Sequence, residues 1–168
     1  GWHLKNQSTD GFYGISMDQA FEFVKNRKST TIIVAVIDSG IDTLHEDLKP
    51  VLWRNPKEIP NNGIDDDNNG YVDDVYGYNF SAKNGDPKDG NGHGTHCAGV
   101  IGAEHNSIGV AGVMANVKMI GVKFLSDSGS GETVDAIAAV NYAIERGVDI
   151  MSNSWGGSGK SQALGEVI

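Results

Sequence analysis

A single cysteine, four prolines and the absence of any long apolar run set the first limits on this chain. Cys97 alone allows no intrachain disulfide and no all-cysteine metal site. It leaves the compartment open, because a secreted protein can lack disulfides. No apolar stretch approaches the roughly 18 residues of a spanning helix, so no membrane span is predicted. Basic side chains are few, 13 against 22 acidic, for a formal charge of -9. Phosphate binding needs a basic face, so nucleic acid is not an expected partner. Gly1-Trp2-His3-Leu4-Lys5 lacks the apolar core of a signal peptide. The chain is therefore expected to be cytosolic or to begin after processing.

What is present fits a folded domain. The 168 residues suit one hydrophobic core, and 39% hydrophobic with 21% charged residues is not the composition of a disordered chain. The 23 glycines are scattered, which points to tight backbone approaches rather than to a linker. The acid excess is concentrated: residues 38–94 hold 12 acidic and 5 basic side chains. Five of those acids lie in Asp65-Asp66-Asp67-Asn68-Asn69-Gly70-Tyr71-Val72-Asp73-Asp74. A solvated surface is the plain explanation of an acidic run, but the interleaved Asn and Gly argue for an ion loop.

The pattern of elements is α/β with a mainly parallel sheet. Thr31 to Ile37 is a continuous β-branched run, the signature of a strand buried on both faces. Further strands are predicted over Val117–Phe124 and Val148–Ser154. Ser16 is expected to cap a helix to about Lys28, with Met17, Ala20, Phe21 and Val24 as its apolar face. Other helices are predicted from His93, from Thr133 to a stop at Gly147, and from Ser161. Between Pro50 and Gly92 the chain reads as long loops. Loops of that length call for a function or an ion.

Two segments carry chemistry. The first strand runs into Ile37-Asp38-Ser39-Gly40-Ile41-Asp42, which puts a carboxylate at the carboxyl end of a parallel strand, where α/β sheets place their sites. Gly90-Asn91-Gly92-His93-Gly94-Thr95-His96-Cys97-Ala98-Gly99 is a glycine-rich loop entering a helix. His93 then sits at a helix N-terminus, which disfavours an imidazolium and predicts a neutral base. Asp38 would fix its tautomer and stabilise the charge formed during reaction.

These two segments resemble the Asp and His motifs of the subtilisin-like serine proteases, the subtilases. Asn106-Ser107-Ile108-Gly109-Val110-Ala111-Gly112-Val113, Ser128-Gly129-Ser130-Gly131 and Asn153-Ser154-Trp155-Gly156-Gly157 agree with further family segments, in order, across roughly residues 31–160. The resemblance implies a three-layer subtilisin-like fold, incomplete in this chain, with residues 1–168 as the N-terminal portion of one catalytic domain. It implies Asp38 as orienter and His93 as general base and acid. Gly129 and Ser154-Trp155-Gly156 would flank an extended peptide or protein substrate, pairing with it as strand neighbours, with the Trp155 indole lining the pocket before the scissile bond. The family's nucleophilic serine, in a Gly-Thr-Ser context, and its oxyanion asparagine have no match here. This chain alone is thus expected to be inactive, and the remainder of the catalytic domain to be its partner. Secretion or display at the cell surface follows from the resemblance only.

Asp65-x-Asp67-x-Asn69-Gly70 opens like a calcium loop, with the Tyr71 carbonyl and Asp73 as further ligands. Tyr76 stands where an EF-hand has its glutamate, and helices do not flank the loop, so a calcium-stapled insertion over about 55–80 is expected. Asp66 or Asp74 could replace one of these ligands. A second calcium site is implied by the resemblance: Asp47 and Asn106 with the carbonyls of Glu104, Ile108 and Val110, and Gln7 as a candidate N-terminal ligand. Three other readings stand beside these. His93, His96 and Cys97 could hold zinc, but spacing places no further ligand. Ser154-Trp155-Gly156-Gly157-Ser158-Gly159-Lys160-Ser161 misses a phosphate-binding loop only at its first glycine. An inactive binding domain on the same fold is the third.

Overall fold

A computed structural model describes all residues from Gly1 to Ile168. It divides into two units, residues 1–30 and residues 31–168.

The first unit contains a short turn of 3₁₀ helix and two helices, α1 (Gln7–Asp10) and α2 (Met17–Val24). Asn6 caps α1, its Oδ1 accepting from the N–H groups of Ser8 and Thr9 at 2.8 and 3.1 Å. Ser16 does not cap α2 as expected. Its backbone is left-handed, at φ 57°, and its hydroxyl accepts from Asn6 Nδ2 at 2.8 Å instead. The helix also stops at Val24, short of Lys28.

The second unit is built on four parallel strands, β1 (Ile32–Asp38), β2 (Gly77–Asn79), β3 (Val117–Lys123) and β4 (Ile150–Ser152). Their order is β2-β3-β1-β4. Alternation along β1 sends side chains to two separate cores. Val34 and Val36 join Met119 and Ala98, against α3 (His93–Gly102). Ala35 and Ile37 join Ile120, Val122 and Val140, against α4 (Thr133–Glu145). Helix, sheet and helix are the three layers. Each fully buried aliphatic side chain in them contributes about 1.5–3 kcal/mol relative to exposure.

The α4 stop falls at Gly147, left-handed at φ 68°. A last helix, α5 (Gln162–Val167), starts at Ser161, whose Oγ accepts from Leu164 N–H at 3.2 Å. β2 lies inside the stretch read as loop. Three residues without a β-branched run carry no strand signal. Its pairing depends on a close approach: a Cβ on Gly77, at φ 125°, would fall 1.8 Å from the Gly121 carbonyl oxygen.

Candidate active site

Asp38 ends β1 and is fully buried. Its Oδ1 accepts from the Ser39 N–H at 2.7 Å and lies 2.8 Å from His93 Nδ1. His93 opens α3, and its side chain is 49% exposed. The next residue explains how the helix reaches the strand end. A Cβ at Gly94 would stand 2.1 Å from the Gly40 carbonyl, so only glycine permits this approach. The carboxylate fixes the proton on Nδ1 and leaves Nε2 as the basic nitrogen.

The hydrogen bond to Asp38, with that carboxylate's charge, raises the His93 pKa above its ordinary value. The shift runs opposite to the one expected from the helix N-terminus. A carboxylate hydrogen-bonded at 2.8 Å outweighs the partial charge of a ten-residue helix. The contact stabilises the fold most below the ordinary imidazole value, about 6.5, and the contribution fades as pH rises through the raised one.

Asp89 holds the His93 loop, and the motif reading missed it. Its Oδ1 accepts from the N–H groups of Asn91 and Gly92 and from the Ser39 hydroxyl, at 2.9–3.0 Å. Its Oδ2 accepts from the N–H and hydroxyl of Thr95 at 2.9 and 2.7 Å. Burial pushes this carboxyl up, but the donors led by Gly92 and Thr95 outweigh it and hold the pKa low. The signal available was an acidic residue four positions before the histidine, at the start of a helix.

His93 faces a cleft of ≈ 300 Å³ that it shares with Leu125, Gly129, Ser154, Trp155 and Gly156. The substrate-flanking residues expected from sequence are thus brought to the dyad. A neighbouring cleft of ≈ 330 Å³ continues past Trp155 to Phe124, Gly131, Thr133 and Leu164. The Trp155 ring packs edge-on against Phe124 at 4.8 Å. Gly129 donates its N–H to Ser126 O at 2.9 Å. A larger cavity, ≈ 590 Å³, lies between Thr43, Pro60, Tyr76 and Asn84 and contains neither Asp38 nor His93. Chemistry rather than volume selects the site. Cys97 brings its sulfur within 4.8 Å of the Asp38 and His93 ligand atoms. His96, the other candidate zinc ligand, is exposed on α3 and joins no such cluster.

The acidic loop is organised differently from its sequence spacing. Asp65 and Asp67 meet Glu58, all three ligand atoms lying within 4.8 Å of one another. Glu58 is only 4% exposed. Its Oε1 accepts from the N–H groups of Asp66 and Asp67, while Oε2 is buried without a partner. Asp67 Oδ1 is likewise buried and unpartnered. Burial raises the Glu58 pKa against its two backbone donors. Asp73 is not brought to this cluster: its carboxylate accepts from Asn62 and Gly63 N–H at 3.1 and 3.0 Å. Asn69 Oδ1 accepts from Tyr71 N–H, and the Tyr71 ring packs against Tyr78 and Tyr142. Asp66 accepts from Ile59 N–H and Asn62 Nδ2. Asp74, fully buried, accepts from Asn55, Asn69 and Tyr142 and sits 3.6 Å from Arg146. Glu58 lies seven residues before the acidic run, outside any loop consensus, so spacing could not assign it.

Asp47 and Asn106 do come together. Asp47, buried, accepts from Asn106 Nδ2 and Val110 N–H, both at 3.0 Å, and its carbonyl accepts from Glu104 N–H. Ile108 N–H closes the turn onto Asn106 Oδ1 at 2.8 Å.

Comparison with known proteins bears on this arrangement. The sequence model described as "Subtilase family" matches residues 29–167. Subtilisin-like protease 1 of Plasmodium berghei (strain Anka) is 40% identical over 141 residues, covering 83% of this chain and 24% of that protein. The major intracellular serine protease of Bacillus subtilis (strain 168) is 37% identical over 157 residues, covering 92% and 44%. Among solved structures, sphericase superposes with a TM-score of 0.62 at 27% identity, covering 89% of this chain and 46% of that one. The chain spans about a quarter of the length of the first curated relatives it matches. A match over residues 29–167 takes in both the Asp38 strand and the His93 helix, and on it the chain belongs to the subtilase family.

Proposed function

We propose that this chain supplies the base and its orienter to a serine endopeptidase. The observation that carries the reading is the 2.8 Å contact between Asp38 and His93, at the edge of a cleft bordered by Gly129 and Ser154-Trp155-Gly156. Nε2 of His93 takes the proton of a serine hydroxyl as that oxygen attacks the peptide carbonyl, then returns it to the leaving amine. Asp38 holds the ring and offsets the imidazolium. No serine of the chain stands in a Gly-Thr-Ser context, so the nucleophile and the oxyanion donor are assigned to residues outside these 168. The free backbone of Ser154 to Gly156 suits an extended peptide laid along the cleft.

Calcium belongs to the same reading. Glu58 Oε2 and Asp67 Oδ1 are buried and unpartnered beside Asp65, and such hard oxygen ligands suit that ion. Glu58, Asp65 and Asp67 would hold it, and its charge would offset theirs. Asp47, Asn106 and the neighbouring carbonyls are the second candidate site, in which both Asp47 oxygens accept from amide donors. No helix is long and apolar enough to cross a membrane. Secretion or attachment at the cell surface, where calcium is abundant, completes the proposal. The test is hydrolysis of casein by the complete protein and by the 168-residue chain. Cleavage by the first and none by the second is expected. Failure of the complete, folded protein to cleave any peptide, with or without calcium, would overturn the reading.

A further inference from the structure

Lys123 is a buried cation that the reading above does not use. Its side chain is 6% exposed. It ends β3 in register with Asp38 at the end of β1. Both residues continue the sheet face that carries Val34, Val36, Val117 and Met119 toward α3. Its Nζ donates to the Ser39 carbonyl at 2.6 Å and to Asp127 Oδ1 at 2.7 Å. Both acceptors matter. Ser39 gives its N–H to Asp38 Oδ1, its hydroxyl to Asp89, and a lone pair to Gly94 N–H at 3.0 Å. Asp127 lies in the rim that carries Gly129, and its carbonyl accepts from Asn91 Nδ2 at 3.0 Å.

We propose that Lys123 is a positioning residue for the Asp38–His93 pair, clamping the Ser39 peptide and tying it through Asp127 to the substrate rim. The inference rests on the protease reading for its kinetic consequences. An ammonium is costly to bury unless it is paired and fully hydrogen-bonded, and an aliphatic side chain would fill the same space without that cost. What the cation adds is a fixed charge in the layer of Asp38, whose Oδ2 is buried without a hydrogen bond. It also adds a bond to the peptide that supports the other oxygen of that carboxylate. The titratable groups around the dyad are Asp38 from β1, Asp89 from the preceding loop, Cys97 from the next turn of α3, and Lys123 with Asp127 from the end of β3.

The test is carried out in the complete protein, by NMR titration of the His93 ring and by the pH dependence of kcat/KM. Removing the cation in Lys123→Met leaves the two carboxylates near His93 unopposed, so its pKa is expected to rise by about half a unit to one unit. The kcat is expected to fall roughly ten- to a hundredfold as the dyad loses its support. Lys123→Arg keeps the charge and is expected to keep the parent pKa. Asp127→Asn, at a side chain 69% exposed, removes the anion that offsets Lys123, so the His93 pKa is expected to fall. A purely structural lysine would lower activity without these opposite shifts. Should Lys123→Met not fold, Asp127→Asn decides: an unchanged His93 pKa overturns the proposal. So does an unchanged pKa in a folded Lys123→Met. The NMR titration needs no turnover, so failure of the protease reading leaves this result separately readable.

Discussion

In the complete protein, Asp38→Asn is expected to lower kcat about 10⁴-fold with little change in KM. The substitution keeps the shape of the side chain, so the buried site at the end of β1 should hold. What changes is the bond at 2.8 Å to His93 Nδ1. An amide can offer its N–H to Nδ1, which forces the proton to Nε2 and removes the base. It also removes the charge that offsets the imidazolium in the transition state. The pH profile gives the sign. Asp38 raises the His93 pKa in the parent, so the acid limb of kcat/KM stands above the ordinary imidazole value, where the base becomes free. Loss of the carboxylate's charge moves that limb to lower pH. A variant that keeps within tenfold of the parent kcat, or whose acid limb does not move down, would show that Asp38 does not act through His93.

Chelation of divalent cations is expected to lower the thermal midpoint of the complete protein by about 5–10 °C, with recovery on adding calcium. A ligand present at a hundred times its dissociation constant stabilises by about 2.7 kcal/mol. For an unfolding unit of about 150–250 residues that is a shift of about 5–10 °C. The physical source is the packing of Glu58, Asp65 and Asp67 within 4.8 Å, with Arg146 as a nearby cation at 3.7 Å from Asp67. Glu58→Gln should abolish most of the calcium response in scanning calorimetry. Asp73→Asn should retain it, because that carboxylate caps the Asn62–Gly63 turn. A response lost with Asp73 and kept without Glu58 would favour the ligand set read from spacing over the one assembled in space.

The contrast between those carboxylates shows what the sequence made legible and where it ran out. β1, α3, β3 and α4 announced themselves through β-branched runs and glycine stops, and the structure has each within a few residues of its expected bounds. The dyad was legible because each member sits at the end of a strongly patterned element. Asp38 closes an apolar strand, and His93 opens a glycine-flanked helix. Residues that act across the fold gave no such signal. Glu58 reaches the loop from outside it, Asp89 works through backbone N–H groups, and Lys123 reaches Ser39 from the neighbouring strand. β2 was illegible for a related reason: its three residues pair only because Gly77 and Gly121 allow their backbones to meet. The expected cap at Ser16 failed because Asn6, ten residues earlier, competes for the hydroxyl.

The role proposed for His93 is that of the base in a serine protease whose nucleophile lies outside these 168 residues. Reaction of the complete protein with a fluorophosphonate, followed by peptide mapping of the adduct, tests it most directly. One adduct is expected, on a serine outside these 168 residues, formed at least a thousandfold more slowly in His93→Ala. An adduct on Ser39, Ser154 or any other serine of this chain, or labelling that proceeds unchanged without His93, would contradict it.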